Sequence, residues 1–287
     1  MIPLSRRTFL AGLGATIAGC AHKGAPAGAA PRVVSLSPST TEAAFAIGAG
    51  ALLVGRSRFC DFPKEAQALP AVGGFSDPNI EAVLALGPTL VIGAHGPAGP
   101  SLADTLKAHG VATYFPETES FAQIAEMIAG LGERLDRAAG AASVVAHMNE
   151  RKSAVAAATK DLPPPPAVML FDVGPIVVAG PGGFPDEMMR LAGVKNLITE
   201  GGAYPTIGLE RLVALDPEVL LDGATAGVEG PSPLAGRRED PGWRSLRAFK
   251  NGRFATVTST VLRPGPRIGD GLVELARAVH GDRITLR

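Results

Sequence analysis

The sequence predicts an α/β protein of two lobes, each with a central, mainly parallel sheet, joined by one long helix. Three observations carry this. Short apolar, β-branched runs alternate with helix-patterned segments in both halves of the chain. One helix–turn–strand segment occurs twice, at a constant offset of 129 residues. Between the two copies, residues 136–161 contain no proline and one glycine, Gly140, and are rich in alanine, the best helix former. A helix over that stretch is about 35–40 Å long at 1.5 Å per residue. Its apolar stripe is patchy: Val144, Val145, Met148, Ser153 and Val155. The run of prolines 163–166 stops it.

The opening of the chain is an address. Ser5-Arg6-Arg7-Thr8-Phe9-Leu10 resembles a twin-arginine export signal, and Thr16-Ile17-Ala18-Gly19-Cys20 a bacterial lipobox with lipid carried on Cys20. The apolar run 9–18 is too short to span a bilayer. Residues 1–19 are read as a signal peptide and 20–31 as a flexible, Ala/Gly/Pro-rich tether. The N-terminal lobe is expected over 32–135, the linking helix over 136–161 and the C-terminal lobe over 166–287. Only Cys20 and Cys60 are present, so with Cys20 lipidated no disulfide is expected. Removing residues 1–19 leaves 25 basic against 27 acidic residues, which argues against nucleic acid as a partner.

In the first lobe, 32–36 reads as a buried strand and Ser39-x-x-Glu42 as a capping box opening a helix over 40–47. A strand at 52–55 leads to the loop 56–63, RSRFCDFP. Asp77-Pro78, a cap followed by an N1 proline, starts a helix to Leu86. A strand at 88–93 ends in the loop Ala94-His95-Gly96-Pro97, followed by a helix at 101–109, a strand at 111–115 and a helix at 120–135. The second lobe reads as strands at 167–171 and 176–179, helices at 185–192 and 209–215, and a strand at 219–221. A short helix at 243–249, a strand at 254–257 and a last helix at 267–280 complete it. The duplicated segment is 80–93, IEAVLALGPTLVIG, against 209–222, LERLVALDPEVLLD.

The blocks RVVSLSPSTTEAAFAIGA (32–49), FCDFP (59–63), GGFSDPNIEAVLALGPTLVIG (73–93), FPDEMMRLAGVKN (184–196) and IGLERLVALDPEVLL (207–221) resemble the helical-backbone substrate-binding proteins of ABC importers. Within that family the chain is most similar to the cobalamin binders. The resemblance implies two lobes spanned by a rigid helix, with a large metal chelate such as cobalamin held between them. It also implies a monomer in the periplasm or cell envelope, membrane-bound through its lipid alone, that hands a small-molecule ligand to a permease without chemistry or a cofactor of its own. By resemblance, Phe59, Phe75 and Tyr204 supply aromatic faces and Arg263 a donor to a ligand oxygen. Glu81 and Glu210, one per lobe in the repeated segment, pair with permease arginines; each also suits the positive end of its helix with no partner at all.

Five histidines, His22, His95, His109, His147 and His280, show no metal-site spacing, so no resident metal is expected. His95, in a cleft loop, is a candidate ligand contact; Cys60 is either a soft ligand or a buried thiol. Iron–siderophore or haem binding within the same family is the alternative ligand class. Of other classes, a scaffold lipoprotein and an exported cofactor-bearing enzyme are the alternatives. Against the enzyme, the sequence has no G-x-G-x-x-G, Walker loop or G-x-S-x-G elbow.

Overall fold

The computed structural model describes residues 30–96, 99–224, 232 and 234–286. The signal, the lipobox with Cys20, and His22 lie outside the described residues.

The first sheet is built from β1 (Val33–Ser35), β2 (Leu53–Arg56), β3 (Leu90–Ile92) and β4 (Ala112–Tyr114), all parallel, in the order β2-β1-β3-β4. Its connecting helices are α1 (Pro38–Ala46), α2 (Ile80–Ala85) and α3 (Gly99–Ala108), and α4 (Phe121–Arg134) follows the last strand. Then comes α5 (Ala138–Thr159), unbroken for 22 residues and so about 33 Å long. The second sheet contains β5 (Pro166–Val173), β6 (Ile176–Val178), β7 (Lys195–Asn196), β8 (Thr206–Ile207), β9 (Val219–Asp222) and β10 (Phe254–Thr256). Its order is β10-β9-β5-β6-β8, with β7 beside the start of β5; β6 is antiparallel to its neighbours and the other pairs are parallel. The helices of this half are α6 (Phe184–Leu191), α7 (Leu209–Leu215), α8 (Arg247–Lys250), α9 (Ser259–Leu262) and α10 (Ile268–His280).

The sequence echo is a structural one. α2 and β3 correspond to α7 and β9 at the same offset, and the turn between helix and strand is left-handed in both, with φ of 56° at Gly87 and 39° at Asp216. β3 lies beside β1, the first strand of its lobe, and β9 beside β5, the first strand of its own.

Helix α5 packs against α4 of the first half and α10 of the second. It buries Ala141, Met148, Val155 and Thr159, a narrow stripe at close to heptad spacing. Val144 and Val145 are only half-buried and Ser153 is exposed, so the stripe read from sequence is corrected. Two glycines let α5 lie close to the end of α1 and to α10. A Cβ on Gly140 would run into the Ile47 carbonyl at the end of α1, and one on Gly269 would sit 3.0 Å from Met148 Cα.

Some boundaries differ from expectation. α1 is capped by Ser37, with Pro38 at its first position, so Ser39 and Glu42 form no capping box; Glu42 is buried instead. α2 starts three residues later than Asp77, capped by Asn79, because the Asp77 carboxylate is held by Arg58 at 2.9 Å. Residues 243–249 form a 3-10 turn and α8, divided by extended Leu246. Strands β7 and β8 and helix α9 are too short for periodicity to reveal.

Candidate functional site

In α/β sheets, ligands collect beyond the carboxyl ends of the strands, where successive connections diverge to opposite sides. In the first sheet that point lies between β1 and β3. A cavity of about 260 Å³ is found there, facing the second lobe. Ser37, Pro38 and Ser39 follow β1, Ala94 follows β3, and Phe75 comes from the loop before α2. The opposite wall is Ser259, Leu262, Arg263 and Pro264, in and after α9, beyond the carboxyl end of β10. No residue of α5 lines it.

Local chemistry explains the SPSTTE segment. The Ser37 hydroxyl accepts from the backbone N–H of Ala94 at 3.0 Å and lies within 3.0 Å of both Ser39 Oγ and Thr40 Oγ1. Thr40 and Thr41 lie 2.9 and 2.8 Å from Ser35 Oγ, and Thr41 reaches Cys60 Sγ at 3.1 Å. This buried hydroxyl chain fixes the cavity floor. It also accounts for Cys60, fully buried and hydrogen-bonded within the first lobe, which removes it as a soft metal ligand.

The cavity is walled off behind by a cluster of charges that joins the lobes. The Glu42 carboxylate, 2% exposed, accepts from Arg263 Nη1 at 2.8 Å and from Arg267 Nε and Nη2 at 2.8 and 3.0 Å. Asp61 Oδ1 accepts from the same Arg263 Nη1 at 2.7 Å. Arg267 lies over the Phe62 ring, 4.0 Å from its centroid, and donates to Thr260 at 3.3 Å. Burial pulls the Asp61 carboxyl upward, but the hydrogen bond and charge of Arg263, with Arg267 adding, leave it below the usual carboxylate range. Burial disfavours the charged Arg263 guanidinium, yet Asp61 and Glu42 together raise its pKa above the ordinary value. Beyond this partition lies a second hollow of about 560 Å³, which Phe45, Phe62, Val144 and His147 help to line.

The candidate residues fall into three groups. Phe75 and Arg263 line the cavity, but Arg263 is neither a free donor nor a solvated loop charge, since two carboxylates already hold it. Phe59 and Tyr204 are large exposed rings, 53% and 51% accessible. Arg58 stands over Phe59 at 4.9 Å, and Tyr204 meets Phe171 edge-on at 5.5 Å. Burial, then the charge of Glu119, raises the Tyr204 hydroxyl pKa. His95 is exposed next to the lining residue Ala94, its Nδ1 3.5 Å from Glu117. Glu81 and Glu210 occupy the first turns of α2 and α7, exposed and without an ion pair among the described residues.

Glu42, Asp61, Phe62 and Arg267 are not among the site residues expected from sequence, where Glu42 reads as a capping-box acid. One signal was available: Glu42 is the sole charged residue between Arg32 and Arg56. A carboxylate in so apolar a stretch is almost never fully buried unless it is paired. Among the described residues, no group of three or more His, Cys, Asp or Glu is arranged to hold a metal ion. No helix among them is long and apolar enough to cross a membrane.

The sequence pattern of the periplasmic binding protein family matches residues 33–261. The chain belongs to that family. The cobalamin-binding protein of Halobacterium salinarum is 28% identical over 260 residues, covering 88% of this chain and 70% of that protein. The vitamin B12-binding protein of Vibrio parahaemolyticus is 28% identical over 248 residues, covering 85% and 87%. Among solved structures, the periplasmic haem-binding protein RhuT from Roseiflexus sp. RS-1 superposes with a TM-score of 0.77 at 26% identity, covering 88% of this chain and 98% of that one. The periplasmic vitamin B12 binding protein BtuF of Vibrio cholerae gives 0.75 at 25% identity, covering 87% and 96%. Two-lobed periplasmic binding proteins are thus the architecture of this chain, and the relatives are named for binding a solute rather than for a reaction.

Proposed function

We propose that this chain is the substrate-binding lipoprotein of an ABC importer, tethered to the cell envelope through Cys20. It captures cobalamin or a related corrinoid between the lobes and delivers it to a permease through Glu81 and Glu210. The observation that carries this reading is the cavity at the carboxyl ends of β1, β3 and β10, lined from both lobes. At about 260 Å³ it takes one edge of a large chelate rather than the whole molecule. The rest of the ligand would lie against exposed rings such as Phe59 and Tyr204. Cobalamin-binding relatives support the corrinoid. Haem or an iron chelate is the second reading, favoured by the haem-binding structural neighbours and by an arginine on the cavity wall. The role is capture and delivery, without chemistry.

A thermal-shift panel of cyanocobalamin, haem and several ferric siderophores tests the proposal. A ligand present at one hundred times its dissociation constant stabilises the protein by about 2.7 kcal/mol. The true ligand gives a clear upward shift, and no shift with any member would refute the reading.

A further inference from the structure

Arg263 is shared by two carboxylates of unequal standing. Glu42 is 2% exposed and is also held twice by Arg267, so withdrawing it would strand a buried charge. Asp61 has a side chain 57% exposed, and Arg263 is its one ion-pair partner among the described residues. Released, it returns to water at little cost. The bond from Arg263 to Asp61 is therefore the one that opens first. Arg263 itself is on the cavity wall.

We propose that Asp61 is a specificity-determining residue that stands in for the ligand, holding Arg263 in the empty protein and yielding it to an anionic oxygen group on the incoming molecule. This rests on the reading of the cavity as the ligand site. A competitor for Asp61 must offer what Asp61 offers, a negatively charged oxygen within reach of Arg263 Nη1. A neutral amide replaces one hydrogen bond but not the charge. The edge of the ligand that enters the cavity is then acidic, either a carboxylate on a tetrapyrrole or the phosphodiester of a corrinoid nucleotide arm. Glu42 keeps Arg263 in place during the exchange, and Asp61 sets a threshold that neutral chelates do not cross.

The test uses Asp61→Asn and, as a second removal of the charge, Asp61→Ala in the full mature chain. Affinities are measured by titration calorimetry for two matched pairs. Haem is compared with its dimethyl ester, and cyanocobalamin with dicyanocobinamide, which lacks the phosphodiester. Loss of a partly exposed competitor should tighten binding of the acid-bearing member about three- to fivefold and leave its neutral counterpart unchanged. Whichever pair responds identifies the source of the acidic group. Arg263→Gln, which keeps an N–H donor but removes the charge, should abolish the distinction within that pair. Unchanged or weaker binding in both Asp61 variants, or equal changes for both members of a pair, would overturn the inference while leaving the function intact. No binding of any of the four by wild-type protein would overturn the function and, with it, the inference.

Discussion

Glu42→Ala removes the acid on which both arginines converge. The carboxylate accepts three charge-assisted bonds of 2.8, 2.8 and 3.0 Å from the opposite lobe. Counted separately, such bonds would contribute about 1.5–3 kcal/mol each. That sum overstates the loss, because the arginine side chains are 16% and 29% exposed and regain water when the acid is gone. Arg263 also keeps Asp61, and Arg267 keeps Thr260 and the Phe62 face. The expected loss is therefore about 3 kcal/mol, at the low end for breaking a buried pair. For a chain of this size that is a fall of roughly 6–12 °C in Tm. Urea and thermal unfolding of the single variants and of Glu42→Ala with Arg267→Ala would isolate the pairwise coupling, expected at about 1.5–2 kcal/mol. A Glu42→Leu, Arg267→Met double variant should recover most of the stability, since apolar replacements of a buried pair are often neutral. A loss below about 1 kcal/mol for Glu42→Ala, or no coupling to Arg267, would refute the argument that these charges hold the lobes together.

Four further outcomes are expected. Gly140→Ala should lower stability by about 1–3 kcal/mol, because its methyl would meet the Ile47 carbonyl; chemical denaturation reads this directly. Gly269→Ala should cost a similar amount against Met148 and Arg151, and unchanged unfolding curves would show that α5 tolerates a wider spacing. His280 is 2% exposed and donates Nε2–H to Ala192 O at 2.9 Å, leaving a buried Nδ1 without a hydrogen-bond partner among the described residues. Burial, aided by the charges of Arg283 and Arg253, holds its pKa below the ordinary 6.5 against the opposing Ala192 bond. The unfolded chain therefore takes up the proton first, so stability present above pH 6.5 is lost as pH falls below it. His280→Gln should flatten that limb of the pH–stability curve. Finally, Glu81→Ala with Glu210→Ala should abolish uptake by cells while purified protein still binds ligand; uptake at the wild-type rate would remove both acids from docking.

Much of the architecture was legible because it rests on local signals. Ala-rich composition without proline located α5, alternating patterns located both sheets, and the echo related the two halves. The misplacements share a cause. A capping box at Ser39 and a cap at Asp77 were sound local readings, but each acid has a distant partner that outcompetes the helix end: Glu42 the arginines of the other lobe, Asp77 the guanidinium of Arg58. Sequence separations of 221 and 225 residues in the Glu42 pairs leave no periodic trace. The same limit applies to the site. Phe75 and Arg263, which line the cavity, were reached through the family resemblance, whereas the engagement of Arg263 by two carboxylates depends on how the lobes meet, which no local pattern encodes.

The two halves are related but not equivalent, and their differences indicate how labour is divided between them. β3 and β9 hold matching places, and the turn before each is left-handed. Gly87 adopts that conformation freely. Asp216 carries a side chain there, at a cost that L-residues normally avoid, and its contacts offset the strain: Oδ1 accepts from the Arg247 N–H and its carbonyl from Arg247 Nη2, both at 3.0 Å. The second lobe thus uses the turn to tie down α8. Glu81 and Glu210 keep the symmetry, in the first turns of equivalent helices, as two-sided docking on a permease would require. The charges between the lobes break it. The acids Glu42 and Asp61 come from the first lobe, and the bases Arg263 and Arg267 follow α9 in the second. An antisymmetric set of charges has one satisfied arrangement, so it fixes how the lobes face each other, while the cavity beside it exposes one member of the set to whatever enters.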